Sequence, residues 1–265
     1  MQKSRTITAH AKDPYFLSLL LHQTTLIRTT TMTTMNLLLS LLVLLSVNTV
    51  VLVQGDDNDE DCPCKVLKRP NLRNKEETAR WMVHSLDWGV VSTISSRLDD
   101  DAGPIPFGNI YSFVDGTCNN STGIPYIYGT YLDQSFKDSL ENAAVSLTLS
   151  EASFASTCGG SNLKNCKINH GLFGDPENPM CARLTLTGVL EVIDDDDDEE
   201  LEMAKQAIFQ RHASMEEWPS NHKWVVAKIN LQDIWLIDYF GGASILTVDK
   251  YLGVDLTPVP GGAQD

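Results

Sequence analysis

The stretch Trp218–Gly242 reads WPSNHKWVVAKINLQDIWLIDYFGG and holds three of the five tryptophans, Trp218, Trp224 and Trp235. It divides into two β-rich runs, Lys223–Ile229 and Ile234–Phe240, separated by Asn230-Leu231-Gln232-Asp233, a polar connection of hairpin length. Each run mixes aromatic and β-branched residues, which suits a packed, pleated surface. Ile234–Phe240 is apolar except for Asp238, so burial on both faces is expected, and Gly241-Gly242 ends it. A hairpin of this kind is marginal alone and needs other strands and helices to cover it.

Working outward, the chain supplies them. Lys75–Leu86 is predicted to be a helix: Ala79, Met82, Val83 and Leu86 recur on one face, and Glu76 and Glu77 favour its positive end. Strands are expected at Gly89–Ser96, Phe107–Val114, Ile124–Thr130, Val145–Ser150, Cys181–Ile193 and Ser244–Thr247. Asp115–Gly123 reads as a loop, Phe136–Asn142 as a short helix and Ser156–Pro179 as an irregular excursion rich in glycine. Asp194–Glu200 is a run of seven acids, a solvated turn well suited to start a helix. Leu201–His212 follows as that helix, with Leu201, Ala204 and Ile208 inward. Helical turns are expected at Ser214–Trp218 and Asp249–Leu252, and no internal repeat occurs. Six or seven strands with a few short helices in one domain predict an α+β barrel.

The beginning of the chain reads differently. Residues 1–34 form a leader of uncertain role, and residues 35–55 form a signal peptide starting at Met35, or at Met32. Its core is Leu37–Val53, and Val53 and Gly55 fit a cleavage before Asp56. The alternative is an uncleaved anchor, since about 18 apolar residues just span a bilayer; after cleavage no membrane-inserted segment is expected. The segment removed carries Lys3, Arg5, Lys12 and Arg28 against Asp13, so cleavage takes the net charge from −15 to −18. A chain this acidic excludes non-specific binding to nucleic acid or to an anionic membrane surface. Residues 56–74 read as an extended, charged, proline-bearing arm, and residues 257–265 as a flexible tail.

All six cysteines, Cys62, Cys64, Cys118, Cys158, Cys166 and Cys181, follow the cleavage point. An even count in an exported chain predicts disulfides, and six cysteines allow 15 connectivities. Cys62-Pro-Cys64 has the wrong spacing for a zinc knuckle. Asn119-Asn120-Ser121-Thr122 holds two overlapping glycosylation sequons, at Asn119 and Asn120, and crowding favours one glycan rather than two.

Three groups of residues resemble the CREG family, the secreted cellular repressors of adenovirus-stimulated genes. They are Ala79-Arg80-Trp81 with His84 and Asp87-Trp88-Gly89; Gly123-Ile124-Pro125-Tyr126 with Tyr128; and Arg211-His212 with Trp218-Pro219-Ser220, His222, Trp224, Ala227-Lys228, Ile234-Trp235 and Asp238–Gly242. The resemblance spans residues 75–256 and implies an FMN-binding-type split β-barrel with short flanking helices, related to the pyridoxine-phosphate oxidases. It implies further a homodimer, N-glycosylation, export, and a binding or regulatory role without demonstrated enzymatic activity. The long Asp194–Glu200 run, the extra residues around Ser156–Asn165 and the N-terminal 34 residues depart from that pattern. A bridge between Cys166 and Cys181 is implied by a similarly placed pair in animal relatives. The two residues bracket one Gly/Pro-rich loop, and closing about 15 residues contributes roughly 3 kcal/mol in the chain-entropy treatment. Which of Cys62, Cys64, Cys118 and Cys158 join to which stays open in this reading.

Candidate chemistry is sparse. His84, His170, His212 and His222 show no metal-ligand spacing, and neither G-x-S-x-G nor H-E-x-x-H occurs. His84 lies off the apolar face of its helix and is expected at a polar surface or interface; His212 is expected to compensate a helix dipole. Tyr126, Tyr128, Trp81 and Trp88 are expected in the barrel core or an interface rather than against a flavin. If flavin mononucleotide binds, Ser135 and Lys137 are the candidates for its phosphate, by resemblance to relatives that place a lysine three residues before a leucine, here Leu140. One lysine in so acidic a chain is a weak phosphate site, so no cofactor is expected. Two readings remain: a secreted or lumenal (lysosome- or vacuole-like) binding protein, expected to be homodimeric and to engage a cell-surface or sorting receptor through its glycan; or an exported FMN-dependent oxidoreductase.

Overall fold

The structure, a computed structural model, describes residues 62–64, 66–98, 103–157, 166, 174–194 and 198–256. The leader, the Leu37–Val53 run, the tail and most of Ser156–Pro179 lie outside the described residues. The elements in chain order are α1 (Lys75–Ser85), β1 (Trp88–Ile94), β2 (Pro106–Ser112), β3 (Val114–Thr117), β4 (Asn120–Gly129), α2 (Gln134–Glu141), β5 (Ala144–Ser150), β6 (Arg183–Val192), α3 (Asp198–Arg211), β7 (Val225–Ile237), β8 (Ser244–Leu246) and α4 (Val248–Leu252). The strands form one antiparallel sheet in the order β2-β1-β5-β6-β7-β4-β3, with β8 also on β7. The class is α+β, a split β-barrel with short helices. No helix among the described residues is long and apolar enough to cross a membrane.

The expected hairpin at Trp218–Gly242 is corrected by the structure. Val225–Ile237 is a single strand, and Asn230–Asp233 stay within it. β6 lines one flank of β7 throughout; on the other flank, β4 pairs with Val225–Lys228 and β8 with Ile234–Leu236. The polar residues mark a bulge, not a turn. Thr187 faces Asp233 and Gly188 faces Leu231, so Gln232 has no partner on β6. The extra residue changes the phase of alternation: Ala227 and Ile229 point into the core before it, Ile234 and Leu236 after it. Gly188 permits this, because a Cβ there would collide with the Asn230 carbonyl oxygen. Nor is the second run buried on both faces, since Trp235 and Ile237 are half-exposed.

Among the described residues, the two larger apolar clusters hold the domain. In the larger, Ala79, Met82, Val83 and Leu86 of α1 meet inward residues of the sheet, including Val91, Leu147, Leu184, Leu186, Ile234 and Leu236. Trp81 stacks on Phe154 at 4.8 Å between centroids. In the smaller, Leu201, Ala204, Ala207 and Ile208 of α3 cover Val114, Tyr126 and Val226. Phe136 of α2 lies against Tyr111 of β2, and it leaves no room for a Cβ on Gly129 of β4, so this ring fills the split between the two strands.

The arm at residues 66–70 has no regular structure but is tied down. Val66 and Leu67 pack on the core, the Trp81 indole donates to the Leu67 carbonyl at 2.7 Å, and Arg69 makes two bonds to buried Glu151, at 2.8 and 3.1 Å. On the outer face, strand register aligns a transverse row: Ile110, Val90, Thr148, Thr185, Trp235 and Ile245. Ile110, Thr148 and Ile245 are exposed, Ile110 and Ile245 each at 65%, and Val90, Thr185 and Trp235 are half-buried.

Candidate functional site

The densest polar cluster joins α1 to the β3–β4 hairpin. Arg80 and His84 lie one turn apart on α1 and therefore share a face. Arg80 donates to the carbonyls of Tyr251, Leu252 and Val254 at 3.0–3.1 Å, and to the carbonyl and hydroxyl of Ser121 at 2.9 and 2.8 Å. His84 Nδ1 lies 2.7 Å from Asp115 Oδ1, and its Nε2 lies 3.3 Å from the Cys118 carbonyl oxygen. The second oxygen of Asp115 accepts from the Ser121 hydroxyl and from the Gly123 amide. The Tyr251 hydroxyl donates to the Gly123 carbonyl at 2.7 Å.

A serine, a histidine and an aspartate thus meet, but not as a nucleophile with its base. Ser121 and His84 each bond a separate oxygen of Asp115, and Ser121 makes no bond to the imidazole. The residues are spent on positioning the hairpin. The expectation that His84 sits at a polar surface is corrected: the residue is 4% exposed. It lies off the apolar face of α1 because that side of the helix is covered by the polar hairpin, not by solvent. The Asp115–Gly123 segment is likewise mostly strand, with its apex at Cys118 and Asn119. Asn119 and Asn120 are exposed there, beside the Cys64–Cys118 disulfide. Cys166 is joined to Cys181, and Cys62 is also disulfide-bonded.

The candidate phosphate ligands diverge. Ser135 and Lys137 are two residues apart on α2, which sets them on opposite sides of the helix; Ser135 is buried and Lys137 exposed. The N-terminus of α2 is already occupied, because Asp133 accepts the Ser135 amide at 2.8 Å, the Asn109 side chain at 3.1 Å and the Tyr111 hydroxyl. A carboxylate at that position repels a phosphate dianion. These residues do not fit the phosphate of a flavin mononucleotide. Burial and the hydrogen bond to Asp133 push the Tyr111 hydroxyl well above its ordinary range. Nearby, Asp138 is buried, which by itself raises its pKa; donors from Thr93, the Ser96 amide, Gln134 and the Ser96 hydroxyl outweigh that and hold it below the usual carboxylate value.

The remaining sequence candidates are spread out. Trp81 and Tyr126 are core residues. Tyr128 belongs to a surface cluster, stacked on Trp224 at 5.1 Å, with Trp218 and Phe209 beside it. His212 donates from Nε2 to the Phe113 carbonyl at 3.3 Å; burial lowers its pKa more than that bond and Asp87 raise it. His222 lies 5.6 Å from the Trp224 ring, and His170 lies outside the described residues. Sequence reasoning missed the Arg80 and Asp115 roles. An arginine one turn before His84 on the same side of the helix, next to Trp81, was the available signal.

Comparison with known proteins agrees with this architecture. The family description "CREG, beta-barrel" matches residues 70–253. Protein CREG1 of Gallus gallus is 36% identical over 193 residues, covering 71% of this chain and 92% of that protein. Protein CREG2 of Homo sapiens is 37% identical over 182 residues, covering 69% of this chain and 57% of that protein. Among solved structures, a heme binding protein from Mycobacterium smegmatis aligns with a TM-score of 0.48 and 17% identity, over 70% of this chain and 62% of that one. With a family match across its folded domain and relatives at more than a third identity, the chain belongs to the CREG family.

Proposed function

We propose that the protein is a secreted or lumenal glycoprotein of binding or regulatory type, homodimeric, on a split barrel that performs no flavin chemistry. The observation that carries this reading is the employment of its polar side chains. Arg80, His84, Asp115 and Ser121 are committed to backbone and to one another, and the two candidate phosphate ligands face apart. The disulfides suit an oxidising compartment. A glycan on Asn119 or Asn120 would project from the hairpin apex, where a cell-surface or sorting receptor has access.

The transverse row from Ile110 to Ile245 supports the homodimer. It crosses six strands without one charged side chain, in a chain of net charge −15. Such a face suits burial against a second copy. The tests are direct. Purified protein should be colourless in the flavin band, and light scattering after deglycosylation should return twice the chain mass. Ile110→Asp with Ile245→Asp should return one chain mass. A yellow preparation, or tight calorimetric binding of flavin mononucleotide that is lost in Lys137→Ala, would place the exported FMN-dependent oxidoreductase first.

A further inference from the structure

Both ring nitrogens of His84 face groups that can only accept. Nδ1 meets the Asp115 carboxylate and Nε2 meets the Cys118 carbonyl. A neutral imidazole has one N–H, so one of those contacts would set lone pair against lone pair; the doubly protonated ring satisfies both. Bulk solvent does not reach these groups, because the side chains of His84 and Asp115 are 5% and 0% exposed.

We propose that His84 is a proton-operated clasp on the sequon-bearing hairpin. Doubly protonated, it ties the Cys118 carbonyl at the apex to α1. When the ring loses the Nε2 proton, the remaining N–H stays on Asp115 and the apex loosens around Cys118, Asn119 and Asn120. The charges around the ring come from every adjoining element. Asp115 on β3, Asp87 after α1 and Asp255 after α4 favour the second proton; Arg80 on α1 and Arg211 on α3 oppose it. The Tyr251 hydroxyl of α4 faces the hairpin as a neutral donor. The clasp is one of several restraints on the apex. The Cys64–Cys118 disulfide, the bond from the Cys118 amide to Gln210 and the Arg80 bonds to Ser121 persist in either state, so the change is local. Its effect is to make the exposed glycan-acceptor apex firmer in an acidic compartment than at neutral pH.

The test uses the full secreted chain with 15N-labelled histidine, followed by NMR between pH 5 and 7.5, together with hydrogen exchange of the amides at 118–121 corrected for intrinsic rates. The ring should change from two N–H groups to one with rising pH. Apex protection should fall with it by about fivefold, the equilibrium weight of one hydrogen bond. His84→Asn retains a donor for Asp115 but is too short to reach Cys118, and its apex protection should not change across this range. A ring whose proton count stays constant over the range overturns the proposal, as does wild-type apex protection indifferent to pH, or an equal slope in His84→Asn. If His84→Asn does not fold, the wild-type ring spectrum and apex exchange decide the matter alone.

Discussion

Gly188 lies directly under the carbonyl of Asn230, close enough that a Cβ built on it would overlap the oxygen. That contact sits where β7 gains its extra residue. Gly188→Val should therefore force β6 and β7 apart at the bulge and cost about 2–3 kcal/mol, the scale of overpacking in a dense interior. The denaturation midpoint measures it. A midpoint within experimental error of wild type would show that the close approach is not required.

Phe136 occupies the gap between β2 and β4 against Gly129. Phe136→Ala should leave a cavity in the split and cost roughly 3–5 kcal/mol in equilibrium unfolding. Phe136→Leu, which fills most of the space, should cost less than half as much. Equal losses would mean that the ring acts through something other than volume.

Arg69 and Glu151 form a buried pair that straps the arm over Trp81, with Arg69 also 5.8 Å above the indole. Arg69→Met should cost about 3–5 kcal/mol, because it abandons a buried carboxylate. The double change Arg69→Met with Glu151→Gln should recover part of that loss. Chemical unfolding of the three proteins checks the order.

Acid should destabilise the domain through His212 and Asp138. Burial holds the folded His212 pKa below its ordinary 6.5, so the unfolded chain binds the proton more readily. Stability from this residue is complete above that value and declines as pH falls below it. Asp138, with a lowered carboxyl pKa, contributes stability above its unfolded value and loses it as pH falls through the folded value. The contribution of His212 to unfolding free energy, read as wild type against His212→Asn, should thus be lower at pH 5 than at 7.5, and that of Asp138, read against Asp138→Asn, lower again near 3. His212→Asn should flatten the upper part of that profile and Asp138→Asn the lower part.

Much of this fold was legible where one face alone is buried. The apolar spacing of α1 and α3 and the alternation of β5 and β6 are written in Ala79, Met82, Val83 and Leu86, in Leu201, Ala204 and Ile208, and in Leu184 and Leu186. The reading failed where a tertiary neighbour changed the local rule. Asn230–Asp233 imitate a turn because a bulge also places polar residues outside, and the residue that reveals it, Gly188, lies on another strand. His84 imitates a surface histidine because its partner, Asp115, is 31 residues away. The separation of Ser135 from Lys137, by contrast, was already present in their spacing, since residues two apart on a helix face opposite ways.

β7 alone joins the β4–β3 hairpin to the ladder of β2, β1, β5 and β6. It begins at Val225 of a 265-residue chain. During synthesis the earlier strands therefore share no backbone ladder across the sheet: a four-stranded ladder and a hairpin stand with helix and side-chain contacts between them, each with a bare edge meant for the same late strand. A chain stopped before Val225 leaves both of those edges open. It offers two sticky edges to its neighbours, and its fate is association or disposal rather than a smaller stable domain.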